Sequence, residues 1–334
     1  MKPRVLVTSY YDPEVTNPEL ERLKTAAQVD RVNLGHTPTE SELLELLPGV
    51  NVIVIADDPF NDRVLTAASD LRMIAADGVG VTSVDLDAAT RHGVIVNNAP
   101  FVQEANGDYT IGLILAVMRR IVHIDRCVRR NRWNDRKQFV GEDFRGRTLG
   151  LLGFGRVAKA VARRAAGFGV KVLAHSRHPD RDVTSALGVE IVDVNALLAR
   201  SDVLSIHVLL TEQTRGMIGR AELAKMRRGS YLINTSRGAV IDETALVDAL
   251  RKGHLAGAGI DVFTTEPPPP NHPLFTMDNV VVTAHTASDS ADAFSTVFRG
   301  IAEDVLLFLD GRRPAHVVNP EVLTHQRFCN LRIP

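Results

Sequence analysis

At 334 residues the chain is longer than one compact core usually covers, so two domains are expected. Hydrophobic residues make up 45% and charged residues 24%, and 39 Lys plus Arg against 40 Asp plus Glu leave a net charge of -1. These totals exclude a basic footprint for nucleic acid or an anionic membrane, and the two cysteines, Cys127 and Cys329, stand in no CxxC or Cys/His spacing, which excludes a disulfide scaffold and a structural zinc.

The opening MKPRVLVTSYYD has too short an apolar run for a signal peptide and no small-residue cleavage site after it. The longest apolar stretch, GLILAVM at 112 to 118, is halted by Arg119 and Arg120, too short to span a bilayer. A cytoplasmic protein without membrane or nucleic-acid partners is therefore expected.

Strand-like runs begin at once: PRVLVTS (3 to 9), NVIVIA (51 to 56), LRMIAA (71 to 76) and GVIV (93 to 96), separated by helical patterns such as ESELLELL. Near-continuous apolar strands between helices indicate a parallel sheet covered on both faces. After Pro100 a long helical pattern, roughly 104 to 131, carries Ile111, Leu115, Met118, Val122 and Cys127. Its Arg119, Arg120, Arg126, Arg129, Arg130 and Arg132 are read as a solvated or subunit-facing side rather than a phosphate-binding one.

A second α/β series follows: RTLGLLGFG (147 to 155), VKVLAH (170 to 175), VLSIHVLL (203 to 210), SYLINTS (230 to 236), AGAGIDVF (256 to 263) and NVVVTAH (279 to 285). The tail from about 292 is helical, then broken by Gly311, Pro314 and Pro320, and can return to pack on the first domain.

Within the second series, Gly153, Gly155 and Ala158 stand in GxGxxA spacing between a strand and a helix. The first glycine permits the tight turn, the second lets the backbone approach a pyrophosphate, and the small alanine lets helix and strand pack closely. Arg156 and Val157 open the helix, whose N-terminus presents amides and positive dipole to phosphate. The next strand ends not in Asp or Glu but in Ser176, Arg177 and His178, with Arg181 nearby. A carboxylate would repel a ribose 2′-phosphate and a guanidinium would bind one, so NADP is expected in preference to NAD.

The fold class expected is thus α/β, with two doubly wound parallel-sheet domains: a flavodoxin-like substrate-binding domain (1–100 and 292–334) and a Rossmann dinucleotide-binding domain (101–291). Late in the second domain, Arg237, Glu266 and His285 each follow an apolar run, so they should sit where strands end and ligands bind. Arg237 would bind a substrate carboxylate and polarise the neighbouring carbonyl, and His285 would donate a proton to it. Glu266, if close, would favour the imidazolium and fix the ring.

Several motifs, DGVGVTSVDLDAATRHGVIVNNAP, TLGLLGFGRVAKAVA, LINTSRGAVIDETALVDAL, GAGIDVFTTEP, TAHTAS and VVNPEVL, resemble those of the D-isomer-specific 2-hydroxyacid dehydrogenases across nearly the whole chain. This is the family of glyoxylate/hydroxypyruvate reductases and phosphoglycerate dehydrogenases. The resemblance implies an oxidoreductase that moves a hydride between NAD(P)H and a 2-oxo acid, with Arg237, Glu266 and His285 as the catalytic set. It also implies that amides around Val79 and Gly80 bind the substrate carboxylate, that Asp261 faces the nicotinamide carboxamide, and that Thr214 and Thr235 lie along the cofactor. Together with the long 104 to 131 helix it suggests a homodimer, and two domains with the site between them are expected to close over the cleft.

Two segments depart from the family pattern. Where PHxGG is usual, the chain has Ala284, His285, Thr286, Ala287 and Ser288, and where the interdomain helix usually opens with AEH it has Gly107, Asp108 and Tyr109. In ADDPFND, Asp57 and Asp58 would repel a phosphate, which points to a non-phosphorylated 2-oxo acid such as glyoxylate, hydroxypyruvate or a longer sugar acid. The chain ends at Pro334, and no separate regulatory domain is expected. Other readings of the same fold are a dinucleotide-sensing, co-repressor-like interaction protein, or an enzyme acting on 3-phosphoglycerate, formate or phosphite.

Overall fold

A computed structural model describes residues 2 to 9 and 13 to 328. The chain divides into two compact units, Met1–Val102 with Asp289–Pro334, and Gln103–Ser288.

The first unit carries β1 (Arg4–Val7), β2 (Gln28–Arg31), β3 (Val52–Ile55), β4 (Met73–Ala76) and β5 (Ile95–Asn97), all parallel, in the order β2-β1-β3-β4-β5. All four residues of β3 are 0% exposed because helices cover both faces of the sheet. On one side Val5, Val7 and Val54 pack with Val297, Ile301 and Val305 of the helix Ala291–Leu309. On the other, Leu6, Ile53 and Ile74 pack with Leu43, Val64 and Ala88. Each buried Val, Leu or Ile among these stabilises the fold by about 1.5–3 kcal/mol relative to leaving it in water. The edge strand β2, which no apolar run announces, is only partly buried.

The second unit carries β6 (Thr148–Leu152), β7 (Lys171–His175), β8 (Val189–Ile191), β9 (Val203–Ile206), β10 (Ser230–Asn234), β11 (Leu255–Ile260) and β12 (Val280–Val282). They form one parallel sheet in the order β12-β11-β10-β9-β6-β7-β8. The strand order reverses between β6 and β9, the topological switch point at which doubly wound sheets bind ligands outside their carboxyl ends. The strand expected over 203 to 210 stops at Ile206, and the chain leaves the sheet there as a loop.

The single helix expected over 104 to 131 is two helices, Gln103–Met118 and Ile121–Arg129, with Arg120 between them at φ 56. The break is imposed from a distance. Glu142 N–H donates to Met118 O at 2.9 Å, and Gly141 lies so close that a Cβ would be 2.5 Å from that carbonyl oxygen. The crossing segment takes the acceptor that a continuing helix would have used. Cys127 is buried and free, and Cys329 lies outside the described residues.

Candidate active site

The glycine loop after β6 has the shape its spacing predicts. Gly153 has φ 92, and a Cβ there would sit 2.8 Å from the carbonyl carbon of His207, the residue after β9. A side chain would therefore both strain the turn and push apart the two strands of the switch point. Gly155 opens the helix Arg156–Ala165 with clear space where a Cβ would be, while Ala158 is fully buried against the sheet. The neighbouring helices starting at Val194 and Glu243 are capped by the carboxylates of Asp193 and Asp242, but the helix behind Gly155 has no side-chain cap. Its first amides and dipole suit a pyrophosphate.

His207 itself was not singled out from sequence. Its Nε2 pairs with Ser205 Oγ at 2.9 Å, and desolvation pushes its pKa down to about 4, so it is neutral near pH 7.

Beyond β10, Asn234 shapes the turn that carries Arg237. This residue is 0% exposed; its Nδ2 donates to Arg237 O at 2.9 Å, and its Oδ1 accepts from Ser236 N–H at 3.0 Å and Ser236 Oγ at 2.9 Å. The signal in the sequence was an Asn placed to bond the backbone two residues on. Gly238 then lets this turn lie against the segment after β11, where a Cβ would stand 1.9 Å from Phe263 C. Arg237 is partly buried, its Nη1 donating to Ser236 O at 2.8 Å.

That neighbouring segment holds Glu266. Its Oε1 accepts from Phe263 N–H at 2.8 Å and its Oε2 from His285 Nδ1 at 2.7 Å. Partial burial pushes the Glu266 carboxyl up, but hydrogen bonds from His285 and Phe263 and the charges of His285 and Arg237 outweigh it. The net result lies below the ordinary carboxylate range. The three residues picked from sequence thus share one electrostatic neighbourhood, with Glu266 at its centre.

Asp261, expected to face the nicotinamide carboxamide, is 0% exposed. Oδ1 accepts from Thr283 Oγ1 at 2.6 Å and Thr286 N–H at 3.0 Å, and Oδ2 from Ala287 N–H at 3.0 Å. With its acceptors turned into the TAHTAS loop, it anchors the histidine from behind. Its own carbonyl accepts from His285 N–H at 2.7 Å, and His285 sits at φ 55, a left-handed conformation unusual for a non-glycine residue.

The remaining cofactor candidates divide. Thr235 Oγ1 lies 3.2 Å from the buried Thr110 Oγ1 and so joins β10 to the helix Gln103–Met118. Thr214 closes its own loop, its hydroxyl donating to Leu209 O at 2.6 Å and accepting from Thr211 N–H at 2.8 Å. Ser176 is half-buried, and Arg177 and His178 are exposed immediately after β7.

In the first unit, the Gly78–Gly80 loop is fastened by its carbonyls. Ala99 N–H donates to Gly78 O at 2.9 Å and Asn98 Nδ2 to Val79 O at 2.8 Å. Among the described residues neither Val79 N–H nor Gly80 N–H donates a hydrogen bond. Asp58, expected with Asp57 to repel a phosphate, is 0% exposed, bound by Thr8 Oγ1 at 2.5 Å, and burial raises it to about 6. Asp57 remains exposed. Among the described residues no group of His, Cys, Asp or Glu is arranged to hold a metal, and no helix is long and apolar enough to cross a membrane.

Comparison with known proteins identifies the family. Residues 111–287 match the family model described as D-isomer specific 2-hydroxyacid dehydrogenase, NAD binding domain. The chain is similar to a glyoxylate reductase of Korarchaeum cryptofilum, 39% identical over 97% of this chain and 98% of that one. It is also 38% identical, over 84% of its length, to a D-3-phosphoglycerate dehydrogenase of Archaeoglobus fulgidus, of which it covers 54%. Among solved structures it is similar to a glyoxylate reductase from Paecilomyes thermophila, with a TM-score of 0.84 and 28% identity over 95% of this chain and 98% of that one.

Proposed function

Because the chain belongs to the D-isomer-specific 2-hydroxyacid dehydrogenases, oxidoreductases acting on CH–OH groups through a nicotinamide dinucleotide, we propose that it reduces a small non-phosphorylated 2-oxo acid of the glyoxylate and hydroxypyruvate type. The observation that carries this reading is the His285 Nδ1 to Glu266 Oε2 hydrogen bond of 2.7 Å, made within the electrostatic reach of Arg237.

The proposed roles follow from those contacts. When bound, the dinucleotide supplies the hydride for the substrate carbon C2. Arg237 binds the substrate carboxylate as a planar fork and draws electron density from the adjacent carbonyl, which a lysine point charge does less well. His285, its Nδ1 committed to Glu266, gives the proton on Nε2 to the carbonyl oxygen, and takes one back in the oxidative direction. Glu266 stabilises the imidazolium and sets the ring plane. In the first unit the amides of Val79 and Gly80 suit a carboxylate.

NADPH is the proposed reductant, because exposed Arg177 follows β7 where an acid would disfavour a 2′-phosphate. A homodimer is proposed from a run of exposed apolar residues after the first long helix of the second unit: Ile121 (53%), Val128 (43%), Trp133 (61%) and Val140 (82%). The proposed location is the cytoplasm.

The experiment is a panel of 2-oxo acids and 3-phosphoglycerate assayed with both cofactors. Turnover of glyoxylate or hydroxypyruvate with NADPH is expected. Preferential activity on 3-phosphoglycerate, or no turnover of any 2-oxo acid, would overturn the reading.

A further inference from the structure

Two segments that depart from the family pattern, Gly107 to Tyr109 and the loop Ala284 to Ser288, meet in space. Tyr109 Oη lies 2.9 Å from Thr286 Oγ1, across 177 residues of sequence. Thr286 is the residue after His285, and its own N–H is held by Asp261 Oδ1 at 3.0 Å.

We propose that Tyr109 and Thr286 form a latch that, together with Asp261, fixes the backbone of His285 so that its Nδ1 stays on Glu266; Tyr109 and Thr286 are positioning residues for the proton donor. This rests on the role given to His285 above.

Four observations support the latch. First, His285 is left-handed at φ 55, a conformation that persists in a non-glycine residue only where the surroundings over-determine it. Second, Asp261 restrains the loop from one side. Asp261 holds Thr283 Oγ1, Thr286 N–H and Ala287 N–H by its carboxylate and His285 N–H by its carbonyl, all from the β11 side. Tyr109 reaches the loop from a different element, the helix Gln103–Met118.

Third, that helix is itself fixed. Gly107 lets it approach the helix behind the nucleotide loop so closely that a Cβ would be 3.0 Å from Ala160 Cβ, and Thr110 bonds Thr235 beside the Arg237 turn. Fourth, the pair is matched chemically, since each hydroxyl can donate to or accept from the other. Tyrosine is half-buried and its ring has few rotamers, so little freedom is lost in making the contact.

The test compares Tyr109→Phe, Thr286→Val, the double variant and Thr286→Ser. Loss of one hydroxyl contact should lower kcat about 3- to 10-fold, with the KM for the dinucleotide unchanged. The double variant should be no worse than either single one, because both remove the same contact. Thr286→Ser, which keeps the hydroxyl, should retain wild-type kcat.

A second readout is independent of the substrate. The imidazole titration of His285, followed by NMR in the protein without substrate, should move to lower pH in Tyr109→Phe and Thr286→Val as the Glu266 contact loosens, and stay in place in Thr286→Ser. An unmoved titration in both, or multiplicative losses in the double variant, would overturn the latch. Absence of any 2-oxo acid turnover by the wild type would overturn the assigned function, and the titration would still decide the latch.

Discussion

Gly238 and Phe263 touch backbone to backbone: a Cβ on Gly238 would lie 1.9 Å from the Phe263 carbonyl carbon and 2.2 Å from its oxygen. That contact joins the turn holding Arg237 to the segment whose Phe263 N–H grips Glu266. The guanidinium and the carboxylate therefore owe their relative placement to an atom that is absent.

Gly238→Ala should accordingly be far more damaging than its size suggests. One methyl group forces two backbone segments apart, at about 1–3 kcal/mol of stability by the usual cost of overpacking. Displacing Arg237 by about an ångström should lower kcat/KM about 100-fold. Thermal unfolding and steady-state kinetics check both parts, and a variant with wild-type kcat/KM would show that the junction does not position the arginine.

Glu266 makes the protein sensitive to acid. Its pKa in the folded protein is below the ordinary 4.5, so the stability it contributes is present above the unfolded value and is lost as pH falls through the folded one. Glu266→Gln keeps an oxygen to accept the His285 hydrogen bond but removes the charge that favours imidazolium. The limb of the reductive pH profile on which the proton donor is lost should move to lower pH by about one unit, and the acid-side stability loss due to this residue should vanish. A pH profile superimposable on that of the wild type would contradict the pairing.

The parts of the fold that could be read in advance are those whose signal is local. β3 reads as a strand because all four of its residues are buried, whereas β2 and β8 lie at sheet edges, present few buried positions, and carry no apolar run. The same holds for the site. Gly153, Arg237, Glu266 and His285 stand in recognisable spacings, but the helix break at Arg120, the Gly238 junction and the Tyr109 to Thr286 contact are set by residues distant in sequence. The hold of Asp261 on the Thr286 and Ala287 amides likewise joins residues far apart in sequence, which residue type alone does not announce.

Asp77, at the carboxyl end of β4, offers a test in the first unit. Burial raises its pKa to about 8, opposed by the Ser9 hydroxyl and reinforced by the charges of Asp57, Asp58 and Asp289. The folded protein then binds a proton that the unfolded chain has lost above its ordinary 3.8, so this residue makes the fold progressively less stable from about pH 4 up to pH 8. Asp77→Asn imitates the protonated acid. Its melting temperature should match that of the wild type near pH 4 and exceed it by several degrees at pH 8, and a difference independent of pH would rule the assignment out.

Cofactor choice can be argued from where the nearest acid points. After β7 the chain runs Ser176, Arg177 and His178, and the first carboxylate, Asp180, is committed elsewhere: it caps the helix Arg181–Ala186 by accepting from Val183 N–H at 3.2 Å and lies 3.6 Å from Lys159 Nζ. On the proposed NADPH preference, no carboxylate at the strand end meets the ribose, and the exposed Arg177 would meet the 2′-phosphate. A hydrogen bond to a charged group contributes about 1.5–3 kcal/mol, so Arg177→Ala should lower kcat/KM for NADPH about 10- to 100-fold. The value for NADH, which has no 2′-phosphate, should stay within a factor of about two, because nothing that Arg177 binds has been removed from it. Equal losses with the two cofactors would assign Arg177 to a feature they share, and a wild-type enzyme faster with NADH would refute the NADPH preference itself.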